Sequence, residues 1–247
     1  MTDLLKPQRT VEPRPADGET ARYIRSYLIM RVLVGLLAVA LPFLLVLLDG
    51  LVFDGEPFPR GSLSAYYYSG VREVFVGTLS ATAVFLITYK VADRTLDNTL
   101  STFAGLAVLV VALFPTGRPA HRGIALTPLQ ERLGESVVQW IHFTAAAAFI
   151  VSLAVISYFF GVREGARPAR EGTRSPEFWR NYHWGCAAVI GLALLWIVVT
   201  ELAGWPPKSL LVGEAVSVWA FGASWLMKGL ELDILLGTRS PPISAES

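Results

Sequence analysis

Five ionisable side chains stand in or beside long apolar runs and are the ones equipped for chemistry: Arg72, Glu73, His142, Glu201 and Glu214. A charge at the centre of a bilayer costs at least about 2.5–3.5 kcal/mol, so each needs a partner or water. Arg72 and Glu73 are adjacent in "SLSAYYYSGVREVFVG", residues 62–77, directly after Tyr66, Tyr67 and Tyr68. A guanidinium among tyrosine hydroxyls can grip a phosphate or carboxylate, with the rings as apolar walls. The same residues also have plain structural uses. Arg72, Glu73 and Glu214 suit a buried ion-pair cluster that fixes helix register. The tyrosines suit interfacial anchoring, and His142 suits a satisfied core histidine.

Other chemistries find less support. An intramembrane hydrolase would use Ser64 or His142 to assist water and Glu73 or Glu214 as base. Zinc would have to gather His121, His142 and His183, which fall at three different depths, and no histidine pair has metal-ligand spacing. No metal, no cofactor and no catalytic residue are therefore expected. Lys228 as a retinal-type Schiff base is disfavoured by its place near a span's end and by six spans rather than seven. A single cysteine, Cys186, excludes an intrachain disulfide.

The elements that must position these residues are membrane helices. Of the 247 residues, 53% are hydrophobic and 17% charged, against about a quarter charged in soluble domains. The apolar residues come in blocks rather than alternating, as membrane helices require. Six blocks are long enough to span, at about 28–49, 72–90, 99–116, 136–161, 182–203 and 209–236. The third ends at "LFPTG", where Pro115 and Gly117 stop a helix. Residues 1–27 and 238–247 read as disordered tails, and the first run lacks the flanks of a cleaved signal. With a net charge of +1, nothing points to a nucleic-acid partner. The expected fold is all-α, a polytopic bundle of six transmembrane helices in residues 28–237.

Lys and Arg set its orientation. With the N-terminus inside, 15 of the 21 basic residues fall on inner segments, five of them in residues 161–180. Both termini are then cytoplasmic, with Trp140 and Trp205 at the outer boundary and Trp179 and Trp184 at the inner one. Arg outnumbers Lys 17 to 4, which points to a GC-rich bacterium and hence to a bacterial cytoplasmic membrane. In this orientation the five ionisable residues come from four helices and lie within about 10 Å of the outer boundary. His183, Lys228, Glu231 and Asp233 lie near the inner edge, and the middle is nearly uncharged, so no proton relay crosses the membrane.

The expectation is an outward-facing pocket of Tyr66, Tyr67, Tyr68, Arg72, Glu73, His142, Glu201 and Glu214 that holds a lipid headgroup or small polar ligand. In the sixth block Glu214, Ser217, Phe221, Ser224, Lys228 and Glu231 step by three or four onto one arc of about 100°. That arc should face other helices, with serines bonding between helices and Lys228 snorkelling to the interface. The alanines at 145–148 either let helices pack closely or leave room for a ligand. A transporter or channel, as a homodimer or other homo-oligomer, is the main alternative. Against it, no internal repeat relates residues 28–116 to 136–236, and only Pro42 interrupts a midplane helix.

"SLSAYYYSGVREVFVG", "LFPTG", "HFTAAAAF" and "SVWAFGASWLMKGLELDILLG" together resemble a bacterial family of uncharacterised multi-pass membrane proteins, a domain-of-unknown-function group. That group is in turn distantly similar to the six-helix Frag/DRAM/Sfk membrane proteins. The resemblance covers roughly residues 28 to 237. It implies six helices and a bilayer setting, transfers no catalytic residue, and links eukaryotic cousins to membrane lipid organisation and trafficking.

Overall fold

A chain in lipid must satisfy its backbone N–H and C=O groups internally, and long uncharged runs do this as helices. A computed structural model describes residues 18–53, 59–89, 96–119, 123–169, 174–206 and 208–228, and among these there is no strand. In order they form α1 (Gly18–Leu51), a 3-10 segment (Ser64–Tyr68), α2 (Arg72–Thr88), α3 (Leu96–Leu113), α4 (Pro128–Leu133), α5 (Glu135–Gly165), α6 (Pro176–Leu202) and α7 (Lys208–Leu226).

Among the described residues four helices are long and apolar enough to cross a membrane: Ile29–Leu51 within α1, then α5, α6 and α7. The shorter α2 has 17 residues, or about 26 Å of helix. The apolar part of α3 is Asn98–Leu113.

Helix ends follow local chemistry. α3 stops at Leu113, two residues before Pro115. α4 starts with a capping box in which Thr127 and Gln130 satisfy each other's backbone, with Pro128 at the first helical position. Gly134, at φ 89°, then redirects the chain into α5. Ser175 caps α6 and Pro176 opens it. Backbone residues 18–27, expected in the N-terminal tail, continue α1. Residues 1–17 and 238–247 of the expected tails, and Glu231 of the expected arc, lie outside the described residues.

The six long helices close into a ring. α1 packs on α2, α2 on α3, α3 on α5, α5 on α6, α6 on α7 and α7 on α1, and α5 also reaches α7 across the ring. α6 leans to the outside, with 17% of its apolar window buried against 44% for α5. Its Leu192, Leu195 and Leu202 are exposed, an outward apolar surface that suits lipid rather than water. α1 and α7 cross where both carry glycine. A Cβ on Gly222 would sit 2.7 Å from Val39 and 3.1 Å from the Gly35 carbonyl oxygen, the close approach that small residues permit between membrane helices.

The inward arc of α7 is as its spacing predicts: Ser217, Phe221, Ser224 and Lys228 are all buried. Two of its expected roles are corrected. Ser217 bonds back to the Gly213 carbonyl of its own helix at 2.8 Å and joins no second helix among the described residues. Lys228 does not snorkel: it is only 4% exposed and its Nζ lies 4.4 Å from the Phe160 ring centre.

Candidate functional site

At one end of the bundle the 3-10 segment is seated in the ring rather than lying in an interfacial belt. Tyr66 is 1% exposed and Tyr67 7%, so the reading of the tyrosines as interfacial anchors is corrected. Each ties down a different part of the chain. Tyr66 Oη accepts from the Arg60 backbone N–H at 3.3 Å. The Arg60 guanidinium lies over the Tyr66 ring and pairs bidentately with Asp49 at 2.7 and 3.2 Å. Tyr67 Oη accepts from Arg72 Nη2 at 2.6 Å. Tyr68 Oη donates to the Thr116 carbonyl at 2.7 Å and accepts from Gln130 Nε2 at 2.9 Å. Burial holds the hydroxyls of Tyr66 and Tyr68 protonated above their ordinary range.

Glu214 of α7 closes the other side of this segment. Its carboxylate accepts from the Leu63 N–H at 2.5 Å and the Ser64 hydroxyl at 3.4 Å. The turn that begins at Leu63 has no cap of its own, and a carboxylate from another helix supplies it. His142 is likewise employed: Nδ1 donates to the Phe114 carbonyl at 2.6 Å, one of the oxygens that α3 leaves unpaired where Pro115 ends it.

The eight residues expected to form one outward pocket are thus distributed. Arg72 and Glu73 are exposed at the start of α2, and Glu201 is exposed at the end of α6. Among the described residues no hydrogen bond or ion pair joins any two of Arg72, Glu73, His142, Glu201 and Glu214. Glu201 acts on Glu214 only through space. The sequence reading missed Asp49, Arg60 and Gln130, which complete this polar end. The capping pattern "TPLQ" at residues 127–130 was the available signal for Gln130. The Asp49–Arg60 pair had no comparable one.

One space adjoins the segment and another lies farther off, between α3 and α5. Beneath the segment lies a cavity of about 50 Å³ walled by Leu41, Phe75, Val111 and Phe149, with Ser64 and Glu214 as its polar side. That is room for one or two waters at about 30 Å³ each. Between α3 and α5 an apolar groove of about 650 Å³ opens sideways. Ala145 and Ala148 form its floor, Phe103, Leu106 and Val110 one wall, and Trp140, 68% exposed, its rim. Ala146, on another face of the same helix, lines the inner cavity.

The opposite end of the bundle carries a second polar cluster that sequence reasoning left as scattered edge residues. Arg31 of α1, His183 of α6 and Lys228 just past α7 are 5%, 0% and 4% exposed. All three approach one ring, Phe160 of α5: the Arg31 Cζ at 5.9 Å, the Lys228 Nζ at 4.4 Å and the His183 ring at 5.8 Å. Arg163 and Arg167 act on Lys228 through space, as does one acid, Glu164, which is itself ion-paired to Arg167 at 3.3 Å. A cation–π contact gives about 2 kcal/mol when desolvated, whereas burying a charge costs several. The ring does not balance the ammonium.

Among the described residues no group of three His, Cys, Asp or Glu side chains could hold a metal ion. No protein-family model, no curated protein and no solved structure matches this chain.

Proposed function

We propose that the chain is an integral membrane protein that binds a lipid of the outer leaflet. The observation that carries this reading is the groove between α3 and α5. It is apolar, has the volume of a ligand pocket, and opens toward the surroundings of helices long enough to cross a bilayer. An acyl chain fits the slot above Ala145 and Ala148. At the groove's outer end α5 begins with Glu135, whose carboxylate pairs with Arg118 at 2.8 Å, with both side chains about a third exposed. That pair offers a cation to a headgroup phosphate and an anion to a headgroup amine. The exposed Arg72 is a second cation at the same end.

In this proposal α1, α2, α3, α5, α6 and α7 all span a bacterial cytoplasmic membrane with both termini inside. The excess of Lys and Arg on the segments assigned to the inside supports that orientation. Local bilayer thinning accommodates the shorter α2. A channel reading is supported less, because the cavity described beneath the tyrosine segment is small and roofed by it.

Native mass spectrometry of the purified chain tests the binding. The wild type is expected to retain one lipid, and Ala145→Phe with Ala148→Phe, which fills the groove, to lose it. Equal lipid retention by both would overturn the reading. Cysteine-accessibility labelling of the two termini tests the orientation.

A further inference from the structure

We propose that the cluster around Phe160 is a binding site for a phosphate-type oxyanion, carried either by a lipid headgroup or by a free ion. The site is separate from the groove between α3 and α5, at the opposite end of the bundle.

Three buried polar groups at this end have no hydrogen-bond or ion-pair partner among the described residues. The Lys228 ammonium is 4% exposed and lies against the face of Phe160. His183 Nε2 is fully enclosed and without a partner. Ser157 Oγ, three residues before Phe160 on α5, is fully enclosed and without a partner as well. Native interiors seldom leave such groups unmatched.

Their chemistry is one-sided. The Ser224 hydroxyl lies 2.9 Å from His183 Nδ1. When Ser224 donates there, the ring proton sits on Nε2, which becomes a donor. Lys228 offers three donors and no acceptor, and Ser157 a hydroxyl. Arg31 also stands over the same ring and has a partner of its own, and Arg167 is paired with Glu164, so the groups left to answer are Lys228, His183 and Ser157. An acceptor-only, multiply oxygenated anion matches this set. A carbonyl or a neutral hydroxyl would answer the hydrogen bonds but leave the charge.

The position suits the ligand. Buried basic pockets between helices on the cytoplasmic side of membrane proteins are where anionic headgroups bind. A structural competitor is written in the sequence: Glu231 and Asp233 follow Lys228 by three and five residues. The experiment therefore has to separate an internal counter-charge from a bound one.

The full chain is placed in phosphatidylcholine nanodiscs, and its unfolding is followed by intrinsic tryptophan fluorescence. Inorganic phosphate is added in one arm, and 20 mol% phosphatidylglycerol replaces phosphatidylcholine in another. The proposal expects at least one addition to raise the melting temperature of the wild type. Phosphate alone acting identifies a free ion, and phosphatidylglycerol alone a headgroup. Lys228→Met is expected to weaken the effective anion at least tenfold and to raise the melting temperature when no anion is present, since it removes an unmatched charge. The groove-filling Ala145→Phe/Ala148→Phe variant is expected to keep the anion response. The proposal is overturned if neither addition shifts the wild type. It is also overturned if Lys228→Met lowers the anion-free melting temperature and Glu231→Gln/Asp233→Asn lowers it equally, because the counter-charge is then internal.

Discussion

The two ends of this bundle treat buried polarity in opposite ways. At the tyrosine end, nearly every buried polar group is matched: Arg60 to Asp49, Tyr68 to both Thr116 and Gln130, Glu214 to Leu63, His142 to Phe114. At the other end Lys228 and His183 meet at Phe160, and among the described residues Lys228, His183 Nε2 and Ser157 Oγ have no such matches. The difference separates polarity that holds a structure together from polarity available to something else. Depth and residue type alone do not tell the two apart, because both ends are rich in ionisable side chains under the same apolar helices.

Four substitutions at the tyrosine end test whether its groups are as fully engaged as the contacts imply. The largest effect is expected from Arg60→Met. It leaves the Asp49 carboxylate, 5% exposed, without its partner, and breaking a buried pair in this way costs about 3–5 kcal/mol. Chemical denaturation in detergent micelles should resolve that loss. Tyr68→Phe comes next. It removes one acceptor and one donor and strands Gln130 Nε2 and the Thr116 carbonyl, a cost of about 1–3 kcal/mol.

Tyr68 also predicts an alkaline effect. Its folded-state pKa lies above the ordinary 10.0, so the protonated phenol binds its proton more tightly when folded. The stabilisation is complete below about pH 10 and is lost as pH rises through the folded value. Melting curves between pH 9 and 11 should fall more steeply for the wild type than for Tyr68→Phe.

Glu214→Gln keeps an oxygen for the Leu63 N–H but removes the charge assistance, for a loss of about 1 kcal/mol. Smallest is Arg72→Ala. Its side chain is exposed and gives up one hydrogen bond, to Tyr67 Oη, so the unfolding free energy should fall by only about 0.5 kcal/mol. A large loss there would show that the exposed rim is as structural as Tyr66, which would blur the contrast.

Much of the scaffold was legible in the sequence for physical reasons. The long uncharged runs could only be helices, and Pro115 with Gly117 marked the end of one, whereas Pro42 lies within α1. The three- and four-residue steps from Glu214 to Lys228 could only mark one face of α7. The site was harder to read. Glu214 looked like a partner for Arg72, but a carboxylate also caps a backbone turn, and no spacing rule links position 214 to position 63. Tyrosines near a helix end suit a membrane interface, and only the fold shows these three turned inward to fasten three segments. The cluster around Phe160 draws Arg31, His183 and Lys228 from α1, α6 and the end of α7. Their convergence depends on the closed ring, which brings the first and last helices together and which no local pattern records.

The contrast between the two ends is tested most directly by one paired measurement: thermal unfolding of Arg60→Met and Lys228→Met beside the wild type in anion-free phosphatidylcholine nanodiscs. Matched polarity at the tyrosine end and unmatched polarity around Phe160 predict opposite signs. Arg60→Met should melt well below the wild type, and Lys228→Met above it. Two decreases of similar size would contradict the account, because Lys228 would then be as fully partnered as Arg60.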